Sequence, residues 1–69
     1  MPLSMASVGD QKTVVKVTGK DEVRRFLENL GFVEGSEVSV VSETKGNLIV
    51  NVKETRVAID RAMANRIMV

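Results

Sequence analysis

Cysteine and histidine are both absent from this 69-residue sequence, and the two absences remove most of the chemistry a small domain could carry. Without cysteine there is no disulfide, no thiolate nucleophile and no thiolate metal site. Without histidine there is no imidazole for acid–base catalysis near neutral pH or for metal ligation. Tryptophan and tyrosine are missing too, and Phe26 and Phe32 are the only aromatic residues. No apolar run approaches the roughly 20 residues of a membrane-spanning helix. The opening Met1-Pro2-Leu3-Ser4-Met5 has neither the basic start nor the long apolar stretch of a secretory signal, so the expected address is cytoplasmic. No Gly-rich loop ends in Gly-Lys-Ser/Thr, which excludes that type of phosphate cradle.

A large charge of one sign is also lacking. Ten Lys and Arg stand against nine Asp and Glu, for a formal net charge of +1. The signs alternate locally, as in Lys20-Asp21-Glu22 and Lys53-Glu54-Thr55-Arg56, which describes a solvated surface rather than a polyanion site. A small nucleic-acid-binding barrel therefore stands only as an alternative, carried by Lys12, Lys16, Lys53, Arg56, Arg61 and Arg66. It has no strand aromatics on which bases would stack.

What remains is an aliphatic chain, 43% apolar, long enough for one domain with a thin core. Gln11 to Thr18 alternates, with Thr13, Val15 and Val17 on one face and Lys12, Val14 and Lys16 on the other, and reads as a half-buried strand. After Gly19 the period changes. Val23, Phe26, Leu27 and Leu30 fall at i, i+3, i+4 and i+7, the apolar face of a helix over 21–30. Asp21 and Glu22 favour its N-terminal dipole, and Gly31 stands at its stop. Phe32 is placed to pack back on Leu27.

Glu37 to Glu43 forms the next expected strand, with Val38 and Val40 inward. Thr44-Lys45-Gly46-Asn47 reads as a hairpin loop, and Leu48 to Lys53 returns with Leu48, Val50 and Val52 inward. Arg56 to Ile59 offers Val57 and Ile59. Asp60 is placed to cap a helical turn through Ala64, and Ile67-Met68-Val69 adds a last short strand. About five short strands and one good helix are the usual content of a mainly β, small antiparallel sheet or barrel.

Hard divalent ions could in principle be held by carboxylates alone, with Asp21 and Glu22, or Glu34 and Glu37, as the nearest pairs. Each has an ordinary role, in the first helical turn or on a turn and strand surface. No catalytic residue, cofactor or metal site is assigned, and no enzyme activity is expected.

The stretch Leu27-Glu28-Asn29-Leu30-Gly31-Phe32-Val33-Glu34-Gly35-Ser36-Glu37-Val38 resembles the FeoA family, small accessory proteins of bacterial ferrous-iron uptake. Leu30, Gly31, Phe32, Gly35 and Val38 match its helix end, turn and strand. Pro2-Leu3-Ser4, Gly9, Val15 and Gly19 fit its opening, and Val57, Ile59, Ala64, Ile67 and Val69 its close. Ala6 and Val8 stand where the family often has Leu and Pro. The resemblance implies an SH3-like barrel of about five strands with an inserted helix and a short C-terminal helical turn. It also implies a non-enzymatic role beside FeoB, the ferrous-iron transporter with a cytoplasmic GTP-binding domain, and so only an indirect tie to the membrane. Metal-dependent repressors carry a similar domain, which leaves a metal-sensing module as a further alternative.

A domain without chemistry acts through contacts, and two surfaces are candidates. One is the helix and its turn: Arg24, Arg25, Glu28, Leu30, Phe32 and Val33. The other is the face of the central hairpin opposite the inward valines, with Val41 and Ile49 either covered by a terminus or the helix, or left as an apolar patch. An exposed barrel edge could also pair with a second copy. Proline-rich ligands are not expected, because their grooves are lined with aromatics.

Overall fold

The computed structural model describes residues 1–69 throughout. Its elements are a single 3-10 turn (Leu3–Met5), β1 (Gln11–Thr13), β2 (Lys16–Val17), α1 (Asp21–Leu30), β3 (Glu37–Thr44), β4 (Asn47–Val52), β5 (Thr55–Asp60), α2 (Arg61–Ala64) and β6 (Ile67–Met68). Four strands form an antiparallel sheet in the order β1-β3-β4-β5, and β2 pairs with β6 in a second, two-stranded sheet. This is the mainly β arrangement with one substantial helix that the periodicity implied.

The strand expected over 11–18 is two strands, and the difference is physical. The Val14 N–H donates to the Ser36 carbonyl at 2.8 Å, and the Val14 carbonyl accepts from Gly35 at 2.8 Å. One residue later the Val15 N–H donates to Met68 at 2.7 Å. The chain thus leaves the large sheet at Val14 and joins the small one at Val15. Turning that corner interrupts the two-residue alternation just after it: Val14 is 1% exposed and Val15 57%, but Lys16 is exposed as well and Val17 half-buried. Thr13 and Val15 share an exposed face as the alternation implies, and Val17, beyond the corner, is half-buried and departs from it.

The helix runs over the expected residues. Gly31 closes it at φ 115°, in a region that L side chains rarely enter. Its N–H donates to Glu28, and the Phe32 N–H reaches back to Leu27 at 3.1 Å. That pair of bonds turns Phe32 under the helix, where it is fully buried with Leu27. At the far end of the chain the Asp60 Oδ1 accepts from the Met63 N–H at 2.8 Å, capping α2 as its position suggested.

Both hairpin turns have two residues. Lys45-Gly46 (φ 21° and 86°) joins β3 to β4, and Lys53-Glu54 (φ 49° and 63°) joins β4 to β5. Positive φ at both positions suits the right-handed twist of the flanking strands. The chain ends close the molecule: the Met1 ammonium donates to the Val69 carbonyl at 3.0 Å, and the Val69 N–H donates to Met1 at 2.7 Å.

Between the sheets lies one core of 13 apolar residues. It takes Val38 and Val40 from β3, Leu48, Val50 and Val52 from β4, Ile59 from β5, and Leu27 and Phe32 from the helix and its turn. Leu3, Ala6, Ala64 and Ile67 seal its ends, and no polar side chain is buried. The inward residues read for β3 and β4 are all buried, and the alternation of β3 ends at Val40. Val57 is only half-buried, because β5 is the sheet's edge.

Candidate docking surface

The helix α1 lies across the barrel on Leu27, its one fully buried residue. Val23 and Leu30 flank it, half-buried and packed against the core. With about 100° per residue in a helix, Phe26 lies about 100° round from Leu27. It therefore falls outside the buried stripe and is 51% exposed. Counting Phe26 with the inward face overstated what a ten-residue helix buries on a small barrel.

On the opposite flank of the helix from Phe26, Arg24 donates through Nη2 to the Asp21 carboxylate one turn earlier. Arg25 and Glu28 are exposed, and neither takes part in the fold's ion pairs, Arg24–Asp21 and Arg61–Glu43. Leu30 and Val33 are half-buried. Phe32, expected as a possible contact, has no exposed surface at all and so offers nothing to a partner. The reason is the backbone turn at Gly31 that carries its ring beneath the helix. The outer face of α1 thus consists of Arg24, Arg25, Phe26 and Glu28, with Val33 at its end.

The hairpin candidates are brought together by a bulge. The register of β3 against β4 shifts between Val40 and Ser42, so Val41 and Ser42 both stand opposite Ile49. Val41 and Ile49 are half-buried rather than bare. Where the sheet continues towards β1 its outer side is polar, an open dip lined by Gln11, Ser39, Asn51, Lys53 and Glu54 with no hydrophobic residue. That lining does not suit a small apolar ligand.

The acidic pairs have conventional partners. Asp21 is engaged by Arg24, and Glu37 Oε2 accepts from Gln11 Nε2 at 2.9 Å. Groups of three or more acidic side chains that could hold a metal ion are absent, and no helix is long and apolar enough to cross a membrane. The basic residues are dispersed: Arg61 pairs with Glu43 at 3.1 Å, Lys16 lies in the small sheet, and Lys53 and Arg56 sit at opposite ends of the β4–β5 turn.

Comparison with known proteins agrees with this architecture. The family model for the FeoA domain matches residues 1–69. A protein of Methanocaldococcus jannaschii, by name a candidate Fe(2+) transport protein A, is 31% identical over 68 residues, covering 99% of this chain and 83% of that protein. Among solved structures, an iron uptake regulatory protein (FeoA) superposes with a TM-score of 0.90 at 33% identity, over 99% of this chain and 92% of the other. The FeoA of Stenotrophomonas maltophilia, solved with zinc and described as an SH3 domain protein, gives 0.88 at 32%, over 99% and 87%.

Proposed function

This chain belongs to the FeoA family of non-enzymatic accessory proteins of ferrous-iron transport, and from that premise we propose that it docks on the cytoplasmic region of a FeoB-type transporter. The docking face is the outer side of α1 with the turn that follows it, and the Val41–Ile49 face of the central hairpin is a second area of contact. The observation that carries this reading is Phe26, one of only two aromatic residues, held half-exposed on a short helix whose solvent side also carries Arg24 and Arg25. Exposing an aromatic ring forfeits hydrophobic stabilisation, and aromatic and Arg side chains are the commonest anchors of protein interfaces. Glu28 beside them supplies a charge of opposite sign, which would fix orientation more than affinity. The protein would act in the cytoplasm and meet the membrane only through its partner.

Calorimetric titration of the transporter's isolated cytoplasmic domain tests the face. Phe26→Ala, and separately the Arg24→Ala/Arg25→Ala pair, are each expected to weaken binding roughly tenfold or more, the effect of losing an interface anchor. Unchanged affinity in both variants would remove α1 from the interface.

A further inference from the structure

The sheet ends on one side in β1, three residues long, and on the other in β5, six residues long. Long edge strands are usually blunted by Pro, Lys, a bulge or a covering segment. Strand β5, Thr55-Arg56-Val57-Ala58-Ile59-Asp60, has no Pro or Lys, and its register against β4 runs unbroken. Among the backbone hydrogen bonds outside the regular ladders, none involves residues 55–60. Its outer row of N–H and C=O groups is therefore open except at the Asp60 carbonyl, which as the N-cap of α2 accepts the first bond of that helix.

The turn decides which groups these are. Residues flanking a two-residue hairpin turn exchange both hydrogen bonds, and the pattern then alternates. Thr55, Val57 and Ile59 thus bond to Val52, Val50 and Leu48, and Arg56 and Ala58 direct both backbone groups outward and Asp60 its N–H. All three are exposed. We propose that this edge pairs antiparallel with the same edge of a second copy, across a two-fold axis at Ala58.

Charge selects that register over its neighbours. With the axis at Ala58, Ala58 exchanges both hydrogen bonds with its copy, and Arg56 faces Asp60 of the second copy twice over. The Oδ1 of Asp60 is occupied by the Met63 N–H, which leaves Oδ2 for the arginine. Val57 meets Ile59 of the second copy on the core side of the sheet, where the half-buried Val57 gains cover. Moving the axis to Val57 sets Glu54 against Asp60, two like charges, and moving it to Ile59 leaves Arg56 opposite Ala62. A two-fold contact is self-complementary by construction, and this strand satisfies that condition in one register. The contact is small, below the ~1,000 Å² of a stable interface, so the dimer is weak and depends on concentration.

The proposal is independent of docking on the transporter and is tested without it. Backbone NMR over a roughly hundredfold dilution series should show concentration-dependent shifts and slower amide exchange centred on Arg56, Ala58 and Asp60. A mixed labelled and unlabelled sample should give an intermolecular contact between the α-protons of Val57 and Ile59. Arg56→Glu, on the exposed side of the strand, should abolish both effects with the core resonances unmoved, by setting Glu against Asp60. Two results would overturn the pairing: shifts and exchange at β5 that do not change with concentration, or self-association whose shifts map to α1 instead. Changes at β5 that appear only when the transporter domain is added would assign the edge to that partner and not to a second copy.

Discussion

The β4–β5 turn gives a test in which two neighbouring substitutions, each favoured by turn chemistry, should behave differently. Lys53 and Glu54 both hold positive φ, at 49° and 63°, where an L side chain costs about 1–2 kcal/mol relative to glycine. Glu54→Gly removes that cost and incurs about 0.5–1 kcal/mol of extra chain entropy. The balance is a gain of roughly 0.5–1 kcal/mol, or about 3–6 °C in melting temperature for a domain of this size. Lys53→Asn relieves similar strain, because Asn tolerates this conformation better. Yet the Lys53 stem lies over the helix end: a Cβ on Gly31 would stand 3.6 Å from its Cγ and Cδ. That placement brings a cation to the C-terminus of α1, which has no basic residue in its own last turn, and such a charge stabilises by about 0.3–1 kcal/mol. Lys53→Asn is thus expected to be neutral or slightly destabilising. The sister turn already has Gly46 at the equivalent second position. Thermal and urea melts followed by circular dichroism read both variants. Equal stabilisation by the two, or none from Glu54→Gly, would refute the reasoning.

Phe32→Ala should be the most damaging single change to the core. It empties the largest fully buried side chain at a cost of roughly 3–5 kcal/mol, comparable to the whole stability of a small domain, so a urea melt should find little or no cooperative transition. Asp60→Ala should cost about 1 kcal/mol through the lost cap of α2, with Asp60→Asn retaining most of it. Arg61→Ala should change stability by less than about 1 kcal/mol, because the pair with Glu43 is exposed, and a larger loss in the same melt would mean that Arg61 does more than this pair shows.

The helix and the inward valines of the central hairpin were legible because each follows one period over most of its length. Asp21–Leu30 has helical spacing bounded by Gly19 and Gly31, and the hairpin alternates over Glu37–Val40 and Asn47–Val52. The corner at Val14–Val15 was not legible, since a chain that changes sheets keeps an alternating sequence but moves its partners. The bulge at Val41 was not read either, although the adjacent Val40 and Val41 interrupt the alternation of β3 at that point. For the candidate surface, spacing placed Phe26 on the apolar side of α1, but which edge of that stripe stays bare depends on how the helix rolls on the barrel. The same dependence buried Phe32, whose position after Gly31 gave it a packing role from the start. Similarity over the full 69 residues then supplied what no period could, the link to ferrous-iron transport.

The central claim is that the outer face of α1 binds the transporter, and amide NMR of the labelled protein titrated with the transporter's cytoplasmic domain tests it most directly. Shifts are expected to concentrate on Arg24–Val33, with smaller ones at Val41 and Ile49, and none on adding short RNA. Silence along α1, together with RNA-induced shifts at Lys12, Lys16, Lys53 and Arg56, would contradict it.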